Sequence, residues 1–211
     1  MSASSARENI LNNIKKALAQ PTPLPFPAVQ NTEFPFQPQT EDLVVEFAEQ
    51  FTQLQGKFIF CADETEMVVQ FMNLAHQNQW SRIFCHESRF CSLLPIDKWH
   101  DDIASCQAAV TGCESLVART GSIVLSSTAN NRVPSVYAPV HICIAFASQL
   151  VYDIKDGLAS LKEKYKENFP SLISFATGPS RTADIEKTLV VGVHGPKEVY
   201  CFLVDDIGQP S

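Results

Sequence analysis

The sequence predicts an α/β domain built on a mainly parallel, twisted sheet with helices on both faces. Short buried runs such as "KFIFCA" (57–62) and "RIFCH" (82–86) are separated by an amphipathic helical repeat. Strands that alternate with helices through short connections are typical of parallel sheets. Apolar residues make up 45% of the 211 residues, which is enough for a full core around such a sheet.

The first 39 residues are predicted to form an arm outside the domain. Ser5 to Glu8 has the pattern of a capping box, apolar residues then recur at helical spacing, and Pro21 ends the helix. Six of the 13 prolines lie between residues 21 and 38, which predicts an extended, semi-rigid connector. A single amphipathic helix cannot bury its apolar face alone. We therefore expect it to dock in a homo-oligomer or on a partner, or otherwise to remain a mobile arm.

The domain itself is predicted to cover residues 40–206, with a short tail at 207–211. Thr40 is placed to cap a first helix that ends at Gly56, and Asp63 begins a second capping box after the first strand. The later elements are a strand, a short helical turn at Glu114–Ala118 and a further strand within 107–127, a central strand at His141–Ala147, a surface helix at Asp153–Asn168, a strand at Leu172–Thr177, and a strand at Val199–Asp205 that closes the sheet.

Charge and cysteine usage exclude several functional classes. The net charge of −7 argues against non-specific binding to nucleic acid or anionic lipid. No apolar run approaches the roughly 18 residues of a membrane span, and Met1 to Ser5 lacks a signal-peptide core, so we expect a cytoplasmic protein without membrane insertion.

The seven cysteines contain no Cys-x-x-Cys, which argues against zinc ribbons and iron–sulfur loops. Cys85, His86 and Cys91 would need a fourth ligand from elsewhere, so neither a metal nor a cofactor is predicted.

The segment "GPSRTADIE" (178–186) is the main candidate for a binding site. It follows a buried strand, and ligands of open α/β sheets bind beyond the carboxyl ends of strands. Gly178 permits a sharp turn, and Ser180 or Thr182 can cap a helix whose free N–H groups favour an anion. Arg181 lies between these two hydroxyls, a combination that suits a phosphate or a carboxylate.

The alternative for this segment is an ordinary capped helix. Asp184 would then lie in the first turn of a helix that runs from Thr182 through Glu186, and Arg181 would pair with one of these acids on the surface.

Two further turns carry candidate residues. Thr120, Gly121 and Ser122 precede a strand, and His194 with Gly195 forms another turn. Each is also compatible with a plain structural turn. His194 and Glu114 are weak catalytic candidates, since a general base needs a nearby partner and a first-turn acid is commonly structural. No role is assigned to three histidines that lie outside any motif: His76, His100 and His141.

Three segments together resemble the lactate-utilisation (LUD) domain family, of the LutC/YkgG type. They are "GPSRTADIEKTLVVGVHGPKEVYCFLVD" (178–205), "ARTGSIVLSS" (118–127) and "PVHICIAF" (139–146), and the likeness covers roughly residues 40–206. The resemblance implies a NagB/RpiA/CoA transferase-like fold, that of sugar-phosphate isomerases and coenzyme A transferases. It also implies a role in oxidising L-lactate to pyruvate beside two companion iron–sulfur proteins.

Three functions are compatible with this sequence. The first is a non-redox subunit or accessory protein of lactate oxidation, which binds a small carboxylate or phosphate anion at the Gly178–Glu186 loop. The second is a freestanding isomerase or CoA transferase-like enzyme that acts on a sugar phosphate or an acyl-CoA through Glu114 or His194. The third is a pure interaction protein whose loops are structural.

Overall fold

The computed structural model describes residues 3–19, 42–127, 132–182 and 190–207. The chain divides into two compact units, residues 1–39 and 40–211. The first unit contains helix α1 (Ala3–Ala19), whose apolar residues Ile10, Leu11 and Ile14 are exposed. Because this helix begins before Ser5, the prediction that Ser5 caps it was wrong. The predicted proline-rich connector lies outside the described residues.

The second unit contains five α-helices and eleven strands among the described residues. The helices are α2 (Leu43–Gln53), α3 (Glu64–Gln77), α4 (Ser88–Leu93), α5 (Arg132–Tyr137) and α6 (Ile154–Tyr165). The strands are β1 (Lys57–Cys61), β2 (Ile83–Phe84), β3 (Ala108–Thr111), β4 (Ser115–Val117), β5 (Ser122–Ser126), β6 (Val140–Phe146), β7 (Leu150–Val151), β8 (Ile173–Ala176), β9 (Arg181–Thr182), β10 (Val190–Val191) and β11 (Glu198–Val204).

A five-stranded parallel sheet forms the centre of the domain, in the order β1-β11-β6-β3-β2. The predicted α/β class with a mainly parallel sheet is therefore confirmed, and β6 is its central strand, as predicted. The last strand does not close the sheet as expected, because β11 lies between β1 and β6 and pairs with both. Its burial explains this position, since Val199 to Val204 are all buried and an interior strand leaves neither face in water.

A second sheet, in the order β7-β4-β5-β8, packs on one side of the first. Ser115 to Val117, predicted as part of a helical turn, forms strand β4 because its residues alternate between two apolar layers: Leu116 faces one and Val117 the other. Strand β8 confirms the strand predicted at 172–177, although it runs antiparallel to β5 at the edge of this sheet and does not join the parallel one.

Apolar layers on both faces hold the parallel sheet. Met67 and Phe71 of α3 pack on one face, and Phe47 and Phe51 of α2 pack on the other, together with the inner face of the second sheet. Leu161 of α6 covers the outer face of the second sheet. Burying each such side chain contributes about 1.5–3 kcal/mol, so these layers fix the positions of the loops at the strand ends.

Helix caps confirm two of the predicted helix beginnings and shift a third. Asp63 accepts a hydrogen bond from the Glu66 N–H at 2.7 Å, and Asp153 caps α6 through the Lys155 N–H at 3.1 Å. Helix α2 is capped by Asp42, which accepts from the Val44 N–H at 2.8 Å, in place of the predicted Thr40. Residue 40 lies outside the described residues.

The described helices include none that is long and apolar enough to span a membrane. All seven cysteines are free thiols. Across the described ranges, no three histidine, cysteine or acidic side chains come together as a metal site.

Candidate functional site

Four of the predicted site residues line one cavity of about 300 Å³. It lies between the turn that follows β8 and the turn that precedes β11. Gly178 and Ser180 come from the first turn, and His194 and Gly195 come from the second. Four further polar residues of the wall were not among the candidates from the sequence: Ser135, His141, Ser174 and Thr177.

Close backbone contacts join the two turns. The Ser180 N–H donates to the Pro196 carbonyl, and the Gly192 N–H donates to the Ser180 carbonyl, both at 2.9 Å. A β carbon on Gly195 would lie 2.8 Å from the Ser180 Cβ, so glycine is required for this approach. Gly178 has φ +84°, in the region that favours glycine. The cavity wall is therefore set by backbone geometry.

His141 is the most deeply buried polar residue of the cavity. It lies near the start of β6, has no exposed surface, and its Nε2 is 2.8 Å from the Thr111 hydroxyl. Its Nδ1 has no hydrogen-bond partner in the described part of the chain. Burial lowers the pKa of His141 from 6.5 to about 4, so the imidazole is neutral at pH 7. An unpaired buried polar atom costs about 1–3 kcal/mol.

The Thr120–Ser122 turn lies behind the cavity wall. The hydroxyls of Thr120 and Ser122 are 2.7 Å apart, and Ser122 contacts the Thr177 hydroxyl at 3.2 Å. Gly121 has φ +58° and packs so closely on α2 that a β carbon would lie 2.5 Å from the Phe51 nitrogen. The structure thus links this turn to the cavity through Thr177, while its own residues do not line the cavity.

Arg181 contacts the protein backbone. Its guanidinium Nη2 donates a hydrogen bond to the carbonyl of Leu54, at the carboxyl end of α2. A cation at this end of a helix is favourable because the terminal carbonyls carry partial negative charge.

The helix predicted to begin at Ser180 or Thr182 is not present at these residues. Arg181 and Thr182 form β9, which pairs antiparallel with Val191 and Val190 of β10. This pairing supplies hydrogen bonds that a helix start would leave free. Asp184 and Glu186 lie outside the described residues, so the rest of the predicted anion loop stays a prediction.

Glu114 lies away from the cavity in a closed polar cluster. Its side chain is only 2% exposed and accepts hydrogen bonds from Ser126 Oγ at 2.5 Å, Tyr165 Oη at 2.7 Å and Lys164 Nζ at 2.8 Å. Burial alone would raise the pKa of this carboxyl, but the hydrogen bonds from Lys164, Ser126 and Tyr165 lower it below 4.5. Through these hydrogen bonds the carboxylate links Lys164 and Tyr165 of α6 to Ser126 of β5 in the second sheet.

A second cleft, of about 620 Å³, lies at the carboxyl ends of β1, β6 and β11. Its wall carries four acids, and its guanidinium, that of Arg89, pairs with Glu64 at 2.9 Å and lies 3.9 Å from the centre of the Phe146 ring. Asp206 accepts hydrogen bonds from the Ser148 N–H and hydroxyl at 2.8 and 2.6 Å. This cleft has the position expected for open α/β sheets. Its negative charge disfavours an anion, so the His141 cavity is the better candidate for an anionic ligand.

The sequence did offer one signal for His141. It is the only polar side chain in "VHICIAF" (140–146), a run that is otherwise apolar. A histidine in an interior strand loses folding free energy unless each ring nitrogen has a hydrogen-bond partner. A single histidine in an apolar strand is therefore a candidate for a structural or functional role.

Comparison with known proteins gives a consistent result. A family model described as the LUD domain matches residues 5–204. A Lactate utilization protein C from Deinococcus radiodurans is 31% identical over 107 residues, which are 50% of each chain. Another from Bacillus licheniformis is 39% identical over 100 residues, which are 46% of this chain and 42% of the relative. These alignments span about half the length of either relative.

One solved structure shares the fold. The crystal structure of a DUF162 family protein from Deinococcus radiodurans superposes with a TM-score of 0.60 at 18% identity, and the match covers 77% of this chain and 96% of that one.

Proposed function

Because this chain belongs to the LUD domain family, we propose that it takes part in lactate utilisation, as a non-redox subunit or accessory protein of the oxidation of L-lactate to pyruvate. The relatives named Lactate utilization protein C, at 31% and 39% identity, support a role in lactate utilisation.

The proposed non-redox role follows from the chemistry of the reaction. Oxidation of lactate removes two electrons and therefore needs a redox centre. The sequence has neither the cysteine spacing of an iron–sulfur cluster nor a glycine-rich nucleotide loop. In this proposal, companion iron–sulfur proteins carry the electrons, and this chain binds a small carboxylate and organises the complex in the cytoplasm.

The single observation that carries the ligand-binding role is the unpartnered Nδ1 of His141 in its cavity. The cavity volume of about 300 Å³ is at the lower end of small-molecule sites and is ample for lactate or pyruvate. Thr177 and Ser180 add hydroxyl groups to the same wall. A 2-hydroxy or 2-oxo acid presents oxygen atoms that these groups can bind.

The freestanding isomerase or CoA transferase-like enzyme has weaker support. It requires Glu114 or His194 as an acid–base or nucleophilic group. Glu114 already accepts three hydrogen bonds and lies away from the cavity, which leaves His194 alone in that role.

The experiment is a gene deletion in the organism that encodes this chain. The deletion strain should grow poorly on L-lactate and normally on pyruvate, and the wild-type gene should restore growth. A gene that carries His141→Phe should not restore it, whereas His76→Phe, at an exposed histidine, should. Equal growth of the deletion strain on both carbon sources would contradict the lactate role.

A further inference from the structure

A second cavity, of about 420 Å³, lies next to the His141 cavity. The two share Val136, His194 and Gly195. The adjoining cavity is lined mainly by apolar side chains, among them Tyr137 and Val193. Val136, Tyr137 and Val193 are 43%, 68% and 44% exposed. Apolar side chains exposed together around a concavity mark a binding surface.

The inner end of this composite site accepts an uncharged oxygen. His141 lines the inner cavity and is neutral and buried; Thr111 holds its Nε2 at 2.8 Å, and its Nδ1 has no hydrogen-bond partner among the described residues. A carboxylate pressed against a neutral, buried imidazole would lose its hydration without gaining an opposite charge. A hydroxyl oxygen loses far less and can complete the hydrogen bonding of Nδ1 in either tautomer of the ring, and a ketone oxygen can do so when Nδ1 carries the proton.

The carboxylate of the ligand can lie in the 420 Å³ cavity, which is the outer of the two, whereas the His141 cavity is the inner one. Lys197 lines that cavity, and its side chain is exposed. An ammonium group there can neutralise a carboxylate that remains partly in water. The apolar wall formed by Val136 and Tyr137 lies in the same cavity and can contact the carbon skeleton of the ligand.

We infer that the site takes 2-hydroxy and 2-oxo acids as a class, and favours those whose apolar side chain is longer than the methyl group of lactate. The inference rests on the proposed function, because it assigns the oxygen at C2 to His141 and the carboxylate to the outer cavity. It goes beyond that function because the methyl group of lactate would leave most of the apolar wall of the outer cavity uncovered. Each methylene that moves from water onto the apolar wall strengthens binding, so affinity should rise with side-chain size.

The test compares three ligands by isothermal titration calorimetry with the full chain: L-lactate, L-2-hydroxy-4-methylpentanoate and L-3-phenyllactate. The two larger acids should bind at least tenfold more tightly than lactate. Val193→Ser should remove most of this preference and leave the lactate dissociation constant within about twofold, because Val193 belongs to the apolar lining of the outer cavity and not to that of the His141 cavity. Val69→Ser, at a valine of α3 that is 53% exposed and lines neither cavity, is the matched control and should change nothing.

The outcomes separate the two proposals. Equal affinity for all three acids would overturn the inference and leave the proposed function standing. Equal weakening of all three by Val193→Ser would also overturn it, since the apolar wall would then have no selective role. If none of the three acids binds, the ligand-binding part of the proposed function fails as well. Thermal unfolding of each variant establishes that the domain is folded in every comparison.

Discussion

The Thr111 hydroxyl lies 2.8 Å from Nε2 of His141, at the centre of the parallel sheet. Thr111 is the last residue of β3, and His141 is the second residue of the neighbouring β6. The contact engages one edge of a neutral imidazole and leaves Nδ1, on the other edge, without a hydrogen-bond partner among the described residues. A buried histidine held in this way acts as a fixed hydrogen-bonding group whose orientation is set before any ligand arrives.

His141 should make the domain sensitive to mild acid. Its pKa is about 4 in the folded domain against 6.5 for the free side chain, so the unfolded chain binds more protons between these values. The stability that its neutral form provides is complete above about pH 6.5 and is lost as the pH falls toward 4. The shift corresponds to about 3 kcal/mol. Urea unfolding at pH 7 and pH 5 should show that His141→Gln loses less stability on acidification than the wild type; an equal loss would contradict the burial effect.

Gly178 should not tolerate a side chain. Its φ is +84°, and a β carbon would overlap the carbonyl oxygen of Leu54. We expect Gly178→Ala to lower the free energy of unfolding by about 1–3 kcal/mol, through backbone strain and the displaced carbonyl. Gly157→Ala is the control, because Gly157 lies in α6 and does not have a positive φ. Chemical denaturation measures both, and a smaller loss for Gly178→Ala than for Gly157→Ala would refute the assigned backbone geometry.

Arg181→Ala should affect stability more than ligand affinity. The guanidinium donates to the Leu54 carbonyl at the end of α2, and its loss leaves that carbonyl to water. We expect a decrease of about 0.5–1.5 kcal/mol in unfolding free energy and a small change in the dissociation constant for a 2-hydroxy acid. Lost binding with unchanged stability would instead restore the anion-binding role that the sequence suggested for Arg181.

Glu114→Gln should destabilise the domain at neutral pH. Because hydrogen bonds lower the pKa of Glu114 below 4.5, its contribution is present above that pH and disappears as the pH falls through the folded value. The expected loss at pH 7 is about 1–3 kcal/mol, and the difference between wild type and variant should shrink in acid. Glu163→Gln, at an exposed glutamate of α6, serves as the control. If Glu114→Gln instead abolished growth on L-lactate with full stability, Glu114 would be a functional acid.

The local sequence contained enough information for the elements with a strong apolar pattern. The uniform apolar run of β6 predicted a central strand, and Asp63 and Asp153 marked two helix starts correctly because a cap depends on residues close in sequence. The placement of β11 depends on pairing with β1, whose partner residues lie 143 positions earlier, and no local pattern encodes such a pairing.

The candidate site was predictable only in part, for the same reason. Gly178 and Gly195 were recognised as turn residues, and both line the cavity. Arg181 was expected to bind an anion because it lies between two hydroxyls, but tertiary structure brings the end of α2 to it. His141 was assigned no role from the sequence. Its hydrogen-bond partner Thr111 and most residues that line its cavity lie far from it along the chain.

The central claim is that His141 contacts the ligand, and NMR of the imidazole nitrogens tests it most directly. In ¹⁵N-histidine-labelled protein at pH 7, a titration with L-3-phenyllactate or L-lactate should shift the His141 Nδ1 resonance and leave that of the exposed His76 in place. The resonance of His141 Nε2 should move less, because Thr111 holds it in both states. An unchanged His141 Nδ1 at ligand concentrations that saturate the protein would contradict the account.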